Sequence, residues 1–100
     1  MNISAILVSI AFAISLLQQP NGHGVFIVVV DRESNAGIDA NVWIGEWQVR
    51  TEKGKATFTG IAPGRHRLAI VADDTRYPIV NWVLDVPQQR AAIFRLVRRP

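Results

Sequence analysis

The chain of 100 residues contains no cysteine. That excludes a disulfide framework, a thiol nucleophile and a cysteine-ligated metal centre, and it leaves the apolar core alone to hold the fold. Histidine is scarce: His23 and His66 are the only two. They show neither H-x-H nor H-E-x-x-H spacing, so no zinc site is indicated. No serine sits in a G-x-S-x-G context and no glycine-rich loop is built to cradle phosphate. Adjacent carboxylates occur at Asp73 and Asp74, but neighbouring loop residues are ordinarily solvated rather than paired for acid–base work. The expectation is a protein that is not an enzyme and uses no cofactor and no metal. Internal repeats and low-complexity segments are also missing.

Charge is absent from the first part of the chain. No Asp, Glu, Lys or Arg precedes Asp31. Residues 3–17 form a nearly unbroken apolar run interrupted only by serines. Residues 1–19 thus read as a leader, and three roles stay open. The apolar length and Ala11-Phe12-Ala13, which resembles an A-x-A cleavage site, suit a secretory signal; the lack of Lys or Arg near the start does not. The run is short for a membrane anchor, which needs ~20 apolar residues. It can also pack on the domain as an apolar element. Gln18 to Gly24 is polar and rich in Pro and Gly, and residues 20–24 are taken as the joint before a domain at 25–100. The expected location is secreted, periplasmic or cell-surface, with the membrane engaged only through residues 1–19. The positive residues, net +3, are scattered. Arg65, Arg67, Arg98 and Arg99 make no continuous track, so a nucleic-acid partner is not expected.

Beyond the joint, the sequence alternates like β-structure. Strands are expected at about 25–31, 40–44, 47–51, 55–59, 65–72, 79–86 and 91–97, separated by turn residues and without a helical period. Residues 51–68, T-E-K-G-K-A-T-F-T-G-I-A-P-G-R-H-R-L, carry the clearest signals. Gly54 supplies positive φ for a hairpin turn, and Pro63-Gly64 suits the centre of a type II turn. Ile27, Val29, Ala40, Val42, Leu68 and Ile70 are assigned inward. His66 is assigned to the core with one hydrogen bond, and Val80, Trp82, Leu84 and Val86 to one face of the sixth strand. Seven short strands at this spacing predict an all-β fold, a seven-stranded antiparallel β-sandwich.

The pattern Gly24-x-x-Ile27-x-Val29-x-Asp31, Gly37-Ile38-x-Ala40-x-Val42 and Thr51-Glu52-x-Gly54-x-Ala56-x-Phe58-x-Gly60-Ile61-x-Pro63-Gly64-x-His66-x-Leu68 resembles the carboxypeptidase regulatory-like domain, one of the transthyretin-like and collagen-adhesin B-type β-sandwiches. The resemblance covers residues 24–72 and departs at His66, where that family usually has an aromatic residue. It implies a non-catalytic accessory, adhesion or spacer module outside the cytoplasm. Adhesin-type relatives also carry a Lys–Asn isopeptide bond. Here the first strand has no lysine, Lys53 and Lys55 lie in a turn and Asn81 lies on the sixth strand, so no such bond is expected. A transthyretin-type carrier or hydrolase, with a site at a subunit interface, is the rival reading; His66, Arg65 and Arg67 are its only support.

Two surfaces are candidates for binding. If every connection reverses direction, one end of the molecule gathers Asp31, Glu33, Asp39, Glu52, Asp73 and Asp74, with Arg32, Lys53 and Arg76 among them. A peptide or polysaccharide suits such loops; calcium is disfavoured because cations are interleaved with the carboxylates. The second surface is apolar. The resemblance puts the first, second and fifth strands in one sheet, whose outer face would then present Phe26, Val28, Val30, Trp43, Ala69 and Val71. A monomer rarely leaves such a patch in water. A protein partner, self-association or the folded-back leader would cover it, with Phe26, Val28, Val30, Trp43 and Val71 as the contact residues.

Overall fold

The computed structural model describes residues 22–100. The leader 1–19 lies outside the described residues. The chain forms seven strands, β1 (His23–Asp31), β2 (Ala40–Ile44), β3 (Trp47–Arg50), β4 (Lys55–Ile61), β5 (Gly64–Ala72), β6 (Val80–Val86) and β7 (Ala91–Leu96). No helix occurs among the described residues. The all-β reading therefore holds, and the strands fall close to their expected positions; β1 starts at His23, inside the joint.

The strands divide into a three-stranded sheet, β4-β1-β7, and a four-stranded sheet, β3-β2-β5-β6. Both send side chains into one buried cluster. The period of two carries through: Ile27, Val29, Ala40, Val42, Leu68 and Ile70 are all fully buried, as alternation requires when one face of each sheet leaves water.

Two expectations about pairing need correction. The pairing is not wholly antiparallel: β1 runs parallel to β7, with Phe26 opposite Ala91 and Asp31 opposite Leu96. And β1 does not share a sheet with β2 and β5; it lies between β4 and β7. The reason is in the β1–β2 loop. Ile38 donates its N–H to the Val29 carbonyl at 3.0 Å, and Val30 bridges Gly37. The loop thus folds back on β1 before β2 begins. The buried Thr51 hydroxyl then donates to the Ile38 carbonyl at 2.7 Å and accepts from the Ala40 N–H at 2.9 Å, which starts β2 beside β3 instead. Neighbours in sequence are neighbours in a sheet only for the β2–β3 and β5–β6 pairs.

The β3–β4 turn returns the chain to the first sheet. Lys53 and Gly54 both have positive φ, 53° and 81°, the pair of values that a two-residue type I′ turn demands. This turn packs on the β1–β2 loop so closely that two glycines touch. A Cβ on Gly54 would lie 2.5 Å from the Val29 carbonyl oxygen and 2.6 Å from the Gly37 Cα. One on Gly37 would lie 2.2 Å from the Lys53 carbonyl oxygen. Gly45, in the β2–β3 turn, has φ of 59° but open space around it. Gly45→Ala is therefore expected to cost about 1 kcal/mol, the backbone term alone, and Gly37→Ala and Gly54→Ala each more than about 3 kcal/mol. Urea unfolding curves check this; equal losses at the three positions would contradict the close approach.

Candidate functional site

The β1–β2, β3–β4 and β5–β6 connections do lie at one end of the molecule, together with the C-terminal residues. Asp31, Glu33, Asp39, Asp73 and Asp74 line a depression there of about 370 Å³, shared with Tyr77 and Arg98. Glu52 does not join them; it borders a separate shallow groove with Phe26 and Lys55.

Most of these carboxylates are already engaged. Asp31 is buried at the end of β1. It accepts hydrogen bonds from the Tyr77 hydroxyl at 2.5 Å and from the Glu33 and Ser34 N–H groups at 2.8 and 2.9 Å. The Tyr77 hydroxyl, helped by the backbone donors, holds its carboxyl at about 2, below the ordinary 3.8. The same bond pushes the Tyr77 phenol up. Asp73 takes a two-pronged ion pair from Arg50, which lowers its pKa. Asp74 pairs with Arg76, with Oδ2 2.8 Å from the guanidinium, and sits 3.9 Å from Arg98; the Arg76 contacts bring its carboxyl to about 2. The Asp31–Tyr77 and Asp73–Arg50 contacts clamp the β5–β6 connection to strands, and the Asp74–Arg76 pair lies within that connection. Among the described residues no three His, Asp or Glu side chains are arranged to hold a metal ion.

The other proposed residues scatter. His66 is half-buried rather than in the core, because it sits where β5 begins at the opposite end; its Nε2 lies 2.7 Å from the Ala62 carbonyl oxygen. Arg65 and Arg67 alternate away from it onto the other face of β5, so the three do not converge. Lys55 and Asn81 lie exposed on strands of different sheets.

The apolar surface is redistributed. Since β1 lies in one sheet and β2 and β5 in the other, Phe26, Val28 and Val30 face outward on one side of the molecule, and Trp43, Ala69 and Val71 on the other. Trp43, Ala69 and Val71 are half-buried in their own sheet. Phe26, Val28 and Val30 gain Ile93 as a neighbour, because the parallel register sets Val28 beside it.

Large apolar side chains are also exposed on and beside β6 and β7, which sequence reasoning did not single out; Trp47 of β3 is exposed as well. Ile79, Trp82, Val83, Ile93 and Val97 are each 48–63% exposed. Trp82 is the informative one. It alternates with Leu84 and Val86, which are buried, yet half of it is in water. It meets Phe94 of β7 edge to face, with ring centroids 6.0 Å apart, a favoured aromatic geometry. The sheets are unequal, three strands against four, and β6 and β7 are each the last strand of their sheet. A groove of about 690 Å³ lies between β6 and β7, floored by Trp82, Leu84 and Phe94. A sequence signal did exist: an odd number of strands cannot be shared evenly between two sheets.

Compared with known protein families and with curated proteins, the chain matches none of them.

The Asp31–Tyr77 bond fixes the loop end and makes its stability depend on pH. A carboxyl held at about 2 stabilises the fold above the unfolded value of roughly 4, and that contribution fades as pH falls from about 4 towards 2. Tyr77→Phe is expected to move the Asp31 carboxyl back towards 3.8 in an NMR titration, and to lower the melting temperature at neutral pH by more than at pH about 2. An unchanged Asp31 titration would show that the bond does not hold the carboxyl.

Proposed function

We propose that the chain is a non-enzymatic β-sandwich module, exported or membrane-anchored, that binds another polypeptide through its open β6–β7 side. In this reading it is a carboxypeptidase regulatory-like domain, and the two sheets are the layers of the sandwich around the shared core. The observation that carries the reading is the exposure of Trp82. A tryptophan on the inward face of a strand, half in water and edge to face with a second aromatic, is an unsatisfied apolar surface. Tryptophan is also the residue that most often dominates binding energy once a partner excludes water from it.

The outer residues of β1 extend the surface. Phe26, Val28 and Ile93 approach the β7 edge from one face of its sheet, and Trp82 and Phe94 approach it from the other. The loop end supports the rival choice of a peptide or polysaccharide less well, because Asp31, Asp73 and Asp74 are taken up by Tyr77, Arg50 and Arg76.

Site-specific photo-crosslinking in the native host tests this. An aromatic photoreactive side chain in place of Trp82 is expected to give a discrete polypeptide adduct, and one in place of the exposed Glu46 is expected to give none. Equal yields at the two positions would contradict the assignment of the surface.

A further inference from the structure

The open side has a specific backbone character that names its partner. Among the described residues β7 pairs with β1 alone, on one side. Phe26 donates its N–H to the Arg90 carbonyl at 2.7 Å, and Arg32 donates to the Leu96 carbonyl at 2.9 Å. Even-numbered residues of β7 therefore turn their backbone groups towards β1. Ala91, Ile93 and Arg95 must turn theirs outward, because N–H and C=O directions alternate along a strand. All three are exposed. The β6 edge differs. Its penultimate residue, Asp85, donates its N–H to the Gln89 side-chain oxygen at 2.9 Å and accepts from the Gln89 N–H at 2.7 Å. That occupies Asp85 at one end of the β6 edge, whereas among the described residues the outward backbone groups of Ala91, Ile93 and Arg95 on β7 have no backbone partner.

The side chains around this edge are apolar and cationic. Trp82 and Phe94 lie in the groove, and Arg90 and Arg95 line it. Among the described residues neither arginine forms an ion pair; Arg95 donates only to the Asn35 side-chain oxygen at 2.9 Å. The one carboxylate on β6, Asp85, is 3.4 Å from Arg65. A second copy of this surface would bring the same arginines against them, which disfavours self-pairing.

We infer that the β7 edge accepts an extended segment of a partner polypeptide, which adds a fourth strand to the β4-β1-β7 sheet and lies over Trp82. The segment has apolar residues at alternate positions, facing Trp82 and Phe94, and carboxylates between them, within reach of Arg90 and Arg95. Strand addition supplies main-chain hydrogen bonds for affinity, and the alternate side chains supply selectivity. The added strand makes the two sheets equal in width and covers the half-exposed tryptophan. The inference rests on the proposed binding role of this side.

The test uses the full chain and a fluorescently labelled peptide of alternating valine and glutamate, about seven residues long to match a typical strand. Binding by fluorescence anisotropy is expected, at least about tenfold weaker for the valine–lysine counterpart and for the Arg90→Glu/Arg95→Glu double variant. Ile93→Pro removes an outward N–H without touching the β1–β7 ladder. Proline is tolerated at such an edge position, so this variant is expected to melt like the parent and to lose the peptide. No binding by the parent chain, equal binding of both peptides, or full binding by Ile93→Pro each overturns the inference. So does a dimer in sedimentation that Ile93→Pro abolishes, which would make a second copy the occupant. If Ile93→Pro keeps its ligand while the cross-link at position 82 persists, strand addition falls and the binding surface stands. If the cross-link itself is absent, the surface falls with it.

Discussion

Seven strands shared between two sheets leave one sheet a strand wider than the other, and the surface of this protein depends on that inequality. Burial of apolar side chains drives both sheets towards a common core, and the inward residues of the strands achieve it almost completely. The last strand of the wider sheet is β6. Leu84 and Val86 of β6 are still covered near the turn that leads into β7, whereas Trp82 and Val80, further along, are only partly covered. The exposed apolar surface is thus the place where the supply of strands ends.

The opposite side of the molecule is closed by backbone rather than by side chains. The β3–β4 connection crosses from one sheet to the other in residues 51–54, and its turn packs against the β1–β2 loop with no room for a Cβ on Gly37 or Gly54. Thr51 ties the same loop to the start of β2, and Tyr77 anchors the β5–β6 connection to Asp31. These contacts tie the β1–β2 loop to the β3–β4 turn and the β5–β6 connection to the end of β1. Charge is distributed to the same effect: the loop-end carboxylates meet Arg50 and Arg76, and the arginines beside the groove are left without acidic partners among the described residues.

Much of this was legible in the sequence. The glycines of residues 51–68 announce their turns because only a residue without Cβ takes those φ values cheaply, and Gly54 does so here at 81°. Alternation identified the inward residues of β1, β2 and β5, since a slip of one residue would have put Ile27 and Val29 in water. The grouping of strands into sheets was not legible. Alternation is local, whereas the placement of β1 beside β7 depends on a loop hydrogen bond at Ile38 and a buried threonine eleven residues beyond Ala40. The exposure of Trp82 was not legible either: it shares a face with Leu84 and Val86, but alternation does not show that it is half in water while they are buried. His66 was likewise placed inward by parity, although it stands at the end of a strand, where the core has already tapered off.

A β7 edge that is free in the unbound protein can be read by amide hydrogen exchange, residue by residue along β7. The account predicts slow exchange at Ala92, Phe94 and Leu96, whose N–H groups bond to β1, and fast exchange at Ala91, Ile93 and Arg95, whose N–H groups face solvent. Uniform protection along the whole strand would show that the edge is already occupied and would contradict the account.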